Sequence, residues 1–303
     1  MQDGGGNSYV GRFAPSPTGP LHFGSLLAAC ASYLEAKQRA GRWLLRIEDI
    51  DPPREQPGAA DRIIRALESF GFEWDGPVHY QSESHEKHLE ALAFLEASNL
   101  TYHCGCSRKD LAEAPVGPLG TIYPGTCRSG SDASEYAVRV RVDDTVVTFD
   151  DRLQGKQAQS MLTESGDFIV HRRDKLIAYH LAVVVDDNLH GVNDIVRGID
   201  LMDSTPRQIW LQRLLGYAIP TYAHIPVAVH PDGDKLSKLT GARELDVEQA
   251  PAILINALDA LSLDTPSELV DATLPEIWSW AAEAWDIGRL AGRQSIIVPN
   301  QQQ

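Results

Sequence analysis

An α/β fold built on a parallel sheet is what this sequence predicts, and three features predict it. Short apolar runs of strand character alternate with longer segments whose apolar residues recur every three or four positions. Clusters of proline and glycine punctuate the alternation. The alternation breaks off once, at residue 101, and resumes after residue 173.

Residues 9–14 are the first apolar segment, ended by Pro15-Ser16-Pro17-Thr18-Gly19-Pro20, and read as a strand entering a loop. Over 24–40 the spacing of Leu26, Leu27, Cys30, Tyr33 and Leu34 predicts a helix with Cys30 on its apolar face. Residues 43–47 read as a second strand, closed by Glu48-Asp49-Ile50-Asp51 and Pro52-Pro53. Helices follow over 59–71 and 84–98. Next come cysteines, glycines and short β-like runs at 136–142, 146–149 and 168–171, the texture of an inserted α+β domain. The α/β pattern resumes through 177–186, a strand at 195–197, a helix at 205–215 and a strand at 225–229. The expected organisation is an α/β first half at 8–101, an insert at 102–173, a second half at 174–243 and a short helical region at 244–303. The final Gln301-Gln302-Gln303 reads as frayed.

Hydrophobic content of 43% and charged content of 23% fit a soluble globular protein. No apolar run approaches the ~20 residues that span a bilayer. Met1-Gln2-Asp3 and the three glycines after it lack the basic and apolar regions of a signal peptide. A cytoplasmic protein without membrane contact is therefore expected, and a monomer. In such a chain Cys104, Cys106 and Cys127, clustered in one region, suggest a metal rather than disulfides. The net charge of −15 leans against a polyanionic partner unless basic residues gather on one face. Arg172, Arg173 and Lys175 are the one dense basic group after the insert, suited to nucleic-acid phosphates or equally to a solvated turn.

Two motifs suit phosphate chemistry. The segment Arg12-Phe13-Ala14-Pro15-Ser16-Pro17-Thr18-Gly19-Pro20-Leu21-His22-Phe23-Gly24-Ser25 lies where a strand gives way to a helix. A helix N-terminus there offers unpaired N–H groups and a positive dipole end. Gly24 lets a nucleotide approach the backbone, and His22 is placed to stabilise developing phosphate charge. Far downstream, Lys235-Leu236-Ser237-Lys238-Leu239 follows Asp232-Gly233-Asp234 and brings two lysines to a glycine-flanked loop, as an α-phosphate in transition requires. Taken singly, the first motif reads rather as a proline-glycine loop with a surface histidine and the second as a solvated charged loop.

Together the two motifs resemble the signatures of class I aminoacyl-tRNA synthetases. The strings from Arg12 to Gly19 and Arg46-Ile47-Glu48-Asp49-Ile50-Asp51 resemble the glutamyl branch, and the likeness runs over residues 9–240. It implies a Rossmann-type sheet, ATP with Mg²⁺ on its phosphates, and L-glutamate. It assigns catalytic roles to His22, Lys235 and Lys238, and ATP contacts to His22, Gly24, Ser25, Ser237 and Lys238. Glutamate falls to Arg12, Ser16, Glu48, Tyr179 and Arg197, where a guanidinium selects carboxylate over amide. The chain departs from the family pattern in lacking a second histidine after His22, and in carrying Leu236 and Leu239 in its lysine motif.

For the metal, three thiolates need a fourth partner. His103 adjoins Cys104 and is poorly placed to join it; the resemblance offers Tyr123 as the fourth ligand of a structural Zn²⁺. The stretch after the lysine motif is barely enough for one small helical unit, so no anticodon-binding domain is expected. A short glutamyl-like chain with these cysteines resembles the glutamyl-queuosine tRNA(Asp) synthetases, which implies transfer of glutamate to queuosine in the anticodon of tRNA(Asp). The alternatives are a truncated glutamyl-tRNA synthetase charging a tRNA 3′ end, a tRNA-independent glutamyl ligase, and a non-catalytic synthetase-derived RNA-binding module.

Overall fold

The structure is a computed structural model that describes residues 8–230 and 244–298. Its first part runs β1 (Val10–Phe13), α1 (Phe23–Gln38), β2 (Arg42–Ile47), α2 (Ala59–Ser69), β3 (His79–Tyr80) and α3 (His85–Ala97). Seven short strands come next: β4 (Thr101–Cys104), β5 (Val116–Gly117), β6 (Gly120–Thr121), β7 (Ala137–Val140), β8 (Val146–Asp151), β9 (Gly155–Ser160) and β10 (Phe168–His171). The chain then continues through α4 (Tyr179–Leu189), β11 (Asp194–Gly198), α5 (Thr205–Leu215), β12 (Thr221–Ile225) and β13 (Val227–Val229). It closes with α6 (Ala250–Ala260), α7 (Leu274–Ala284) and β14 (Ser295–Ile297).

Strands β1, β2 and β3 pair in parallel, as do β11 and β12. Val10 joins the two groups: its N–H donates to the Asn193 side chain at 2.8 Å and its carbonyl accepts from the Asn193 N–H at 3.0 Å. The layer therefore reads β3-β2-β1-β11-β12, with its change of direction between β1 and β11. In open α/β sheets, ligands bind beyond the carboxyl ends of the strands at such a switch point.

Alternation along each strand assigns its two faces. Phe13, Trp43, Leu45, Ile47, Val196 and Ala223 pack in one core with α1, α6 and α7. Val10, Leu44, Ile195 and Tyr222 pack in the other with α3, α4 and α5. Both faces are covered, which is why these strands read as continuous apolar runs. Arg12, Arg46, Arg197 and His224 share the second face by the same alternation, nearer the carboxyl ends, and all four are buried.

Several expectations need correction. The 225–229 strand is two strands, because Pro226 has no N–H to continue a ladder. The mostly helical C-terminal region also holds β14, which pairs in parallel with β13 and is too short to announce itself by periodicity. β3 went unread for the same reason. Within 102–173, β4, β7 and β10 make an antiparallel sheet, whereas β8 pairs with β12 through Asp151 and Tyr222 and so extends the parallel layer.

Candidate active site

A cavity of about 420 Å³ opens at the switch point. The loop after β1 forms one wall, the first turn of α1 a second, and the chain leaving β11 and β12 a third. Arg12, Ser16, His22, Gly24, Ser25, Glu48, Tyr179 and Arg197, dispersed through the sequence, all line it. Lys235, Ser237 and Lys238 lie outside the described residues.

His22 is the N-cap of α1: its Nδ1 accepts the Ser25 N–H at 3.2 Å, and Ser25 Oγ lies 3.0 Å from its Nε2. The ring thereby satisfies one of the free donors of the first turn and is pinned where the dipole favours a phosphate. Gly198, which ends β11, is another wall residue; a Cβ there would come within 2.4 Å of Asp200 Oδ1, so the Asp200 side chain would have to move aside.

The two arginines are held differently. Arg12 donates from Nε to Asp187 Oδ1 at 3.2 Å, and Arg46 donates to the same oxygen at 2.7 Å. Arg46 also reaches Glu48 Oε1 at 3.4 Å. Asp187 is buried, which alone would raise its pKa, but Arg12 and Arg46 hold it below the ordinary carboxylate range. Glu48 goes the other way: burial raises its pKa despite both arginines.

Arg197 has no carboxylate partner among the described residues. It donates from Nε to His224 Nε2 at 3.0 Å and from Nη2 to Thr205 Oγ1 at 2.8 Å. Its Nη1 is buried without a hydrogen-bond partner. A buried, unpaired guanidinium nitrogen costs free energy unless something carrying acceptor oxygens binds there. Arg197 thus brings to the cavity wall a positive charge and a guanidinium nitrogen without a partner among the described residues.

His224 is neutral here, because its Nε2 must be a lone pair to accept from a guanidinium. Burial, joined by the charge of Arg197, lowers its pKa to about 4 against the opposing pull of Asp151. With the folded value below the ordinary ~6.5, stability is intact above pH ~6.5 and is lost as pH falls toward 4, by up to roughly 3 kcal/mol. Urea unfolding of the wild type should therefore show about 2 kcal/mol less stability at pH 5 than at pH 7 from this group. His224→Gln should shrink the difference by that amount; an equal pH dependence in both proteins would refute it.

Residues 9–258 match the family model described as tRNA synthetases class I (E and Q), catalytic domain. The chain belongs to the class I (E and Q) tRNA synthetase family. Among its curated relatives is a glutamyl-Q tRNA(Asp) synthetase of Dechloromonas aromatica, 52% identical over 296 residues, covering 96% of this chain and 98% of the relative. Another, from Pseudomonas fluorescens, carries the same name and is 49% identical over 297 residues, covering 98% and 97%. A crystal structure of a glutamate-tRNA synthetase from Elizabethkingia anophelis shares the fold, with a TM-score of 0.80 at 22% identity over 98% of this chain and 69% of that one.

This class I synthetase also gathers its three clustered cysteines. The Sγ atoms of Cys104, Cys106 and Cys127 lie within 4.8 Å of one another, and those of Cys106 and Cys127 are 3.5 Å apart. Tyr123 Oη sits 3.4 Å from Cys106 Sγ and accepts the Cys127 N–H at 2.8 Å. Four ligands around Zn²⁺ with Zn–S of ~2.3 Å would stand ~3.5–4 Å apart, so the set fits. Gly105 permits the close turn, since a Cβ there would meet Ala133 Cβ at 2.4 Å. His103 is exposed and stacked on Tyr136, with 3.7 Å between ring centroids. Cys30 is fully buried in the α1 core.

The basic group has local partners. Arg172 pairs with Asp174 at 2.6 Å and Asp51 at 3.2 Å, Arg173 donates to the Gly105 carbonyl at 2.7 Å, and Lys175 lies over the Tyr136 ring. Sequence reading missed Asp187, His224, Thr205 and Asp151. The one available signal was Asp186-Asp187, two acids ending the apolar run Leu181-Ala182-Val183-Val184-Val185.

Proposed function

We propose that the protein activates L-glutamate with ATP to glutamyl-adenylate and transfers the glutamyl group to queuosine in the anticodon of tRNA(Asp). The observation that carries the glutamate reading is Arg197, buried in the cavity wall with a free Nη1 and only neutral partners. A ligand carboxylate satisfies it in charge and hydrogen bonding; the amide of glutamine satisfies neither fully. Arg12 takes the other carboxylate and Glu48 the ammonium, with Ser16 and Tyr179 completing the pocket. For the acceptor, support comes from the relatives that carry the glutamyl-Q name at about half identity over nearly their whole length.

In the first step a carboxylate oxygen of glutamate attacks the α-phosphorus of ATP, an O–P bond forms, and pyrophosphate leaves. His22 at the N-terminus of α1 stabilises the charge that builds on the phosphate, with Gly24 and Ser25 at the nucleotide. Lys235, Ser237 and Lys238 serve the same charge from the lysine motif. Mg²⁺, when bound, neutralises phosphate charge. In the second step a hydroxyl of the queuosine cyclopentenediol attacks the mixed anhydride carbonyl, an ester forms, AMP leaves, and the hydroxyl proton is released.

Cys104, Cys106, Tyr123 and Cys127 are the proposed ligands of a structural zinc, which would tie β4 to the loop that carries Tyr123 and Cys127. Metal analysis of the purified protein should find ~1 Zn²⁺ per chain, and Cys127→Ser should lose it. A folded wild type without metal would overturn this assignment.

Glutamate-dependent ATP–pyrophosphate exchange, run with bulk tRNA present, tests activation. Exchange with glutamate and not with glutamine is expected. No exchange from folded protein would favour the RNA-binding module instead.

A further inference from the structure

We propose that Asp151 and His224 form a positioning pair for Arg197, in which the Asp151 carboxylate fixes the tautomer of His224 and His224 orients the guanidinium toward the substrate carboxylate. The inference deepens the glutamate reading above and rests on it.

The geometry leaves one protonation pattern. Arg197 and His224 are register partners on adjacent strands β11 and β12, so their side chains stand side by side on the same face. Arg197 has only donors, so the Nε2 it meets at 3.0 Å must be the acceptor and the imidazole proton must sit on Nδ1. That proton points to Asp151 Oδ2 at 2.6 Å. The other oxygen of Asp151 is engaged by backbone: it accepts from Leu153 at 3.0 Å, Gln154 at 2.9 Å and His224 at 3.3 Å. Asp151 is thus locked in rotation by three N–H groups, and both side chains of the pair are fully buried.

The arrangement also explains why the partner of Arg197 is a histidine. A carboxylate at that place would neutralise the guanidinium and compete with the ligand. A neutral imidazole holds the Nε edge and leaves the charge, and Nη1, for the cavity. Arg12, by contrast, spends its Nε on Asp187 directly. Of the two substrate-facing arginines, Arg197 is the one whose charge is not cancelled by a contacting carboxylate among the described residues. Asp151 ends β8, within the stretch that interrupts the βα alternation, so that stretch reaches the amino-acid pocket through a side chain.

Asp151→Asn is the discriminating variant. Three backbone donors keep the amide oxygen in the Oδ1 place, so the NH₂ faces Nδ1 and drives the imidazole proton to Nε2. Two N–H donors, from His224 and Arg197, then oppose each other, and the guanidinium is pushed off its line. The expected result in ATP–pyrophosphate exchange is a KM for glutamate raised tenfold or more, with the KM for ATP and kcat within threefold of wild type. His224→Leu, which has no acceptor, should raise the glutamate KM comparably. His224→Gln, whose Oε1 can accept from Arg197, should raise it no more than threefold and should make Asp151→Asn silent when the two are combined.

Equal KM values in His224→Leu and His224→Gln, or losses shared equally between glutamate and ATP, would mean a structural role only and overturn the proposal. Should Asp151→Asn fail to fold, the Leu and Gln variants of His224 decide the question between them. A wild type that exchanges while all variants keep its glutamate KM sinks this inference alone. A folded wild type without exchange sinks the glutamate reading and this one with it.

Discussion

Arg197→Ala is expected to raise the KM for glutamate by about 30-fold to several thousand-fold, the equivalent of about 2–5 kcal/mol for truncating one member of a buried charge pair. The lower part of that range applies if a water molecule takes the vacated place. The KM for ATP should stay within a factor of about three, since the proposed nucleotide contacts are His22, Gly24 and the lysine motif rather than Arg197. Arg197→Lys should not rescue, because an ammonium cannot bond His224 through Nε, Thr205 through Nη2 and a ligand through Nη1 at once. Steady-state exchange over a range of glutamate concentrations reads this directly. A glutamate KM within threefold of wild type would remove Arg197 from the substrate site.

The second large effect is on stability. Asp187→Ala removes the oxygen that accepts from both Arg12 and Arg46, and leaves Glu48 as the only carboxylate in contact with Arg46 among the described residues. Breaking a buried charge network from one side costs about 3–5 kcal/mol, because the stranded charge stays desolvated. In a protein of this size that corresponds to a fall in Tm of roughly 5–8 °C. Asp187→Asn should cost less, since the amide oxygen still accepts one of the two donors. The folded pKa of Asp187 is depressed, so its contribution is present above the ordinary carboxylate value and is lost only as pH falls below that value. At neutral pH the full loss should appear in thermal unfolding. A change below about 1 kcal/mol would mean that the two arginines find other partners, contrary to the network described.

Much of this fold was legible because its strands are buried on both faces and its helices carry apolar stripes. Phe168–His171 and Thr205–Leu215 fall where the sequence reading put them. The elements that escaped are too short for any period to show: His79–Tyr80 and Ser295–Ile297 are strands only because a neighbour supplies their hydrogen bonds. Pro226 could have been read as a break, and the strand drawn across 225–229 passed over it.

The site was legible where motif and chemistry coincide. His22, Gly24, Arg12 and Glu48 sit in or beside recognisable strings, and Arg197 lies near the end of β11. What the sequence does not display is the support beneath them. Asp187 reaches Arg12 from a helix 175 positions on, and Asp151 reaches His224 across 73. Such pairs are made by the sheet order, so no spacing along the chain announces them. Asp151 in particular reads as one acid in the polar run Asp150-Asp151-Arg152, whereas in the fold it is fully buried behind an arginine of the pocket.

The acceptor is the centre of the account, and one measurement addresses it most directly. Labelled glutamate is offered, with ATP, to bulk tRNA stripped of its 3′-terminal adenosine, prepared from cells with and without queuosine. Label should enter only the queuosine-containing tRNA, in an ester bond labile to mild alkali. Label in neither sample, with charging restored on intact 3′ ends, would contradict the account and make the protein a conventional glutamyl-tRNA synthetase in its choice of acceptor.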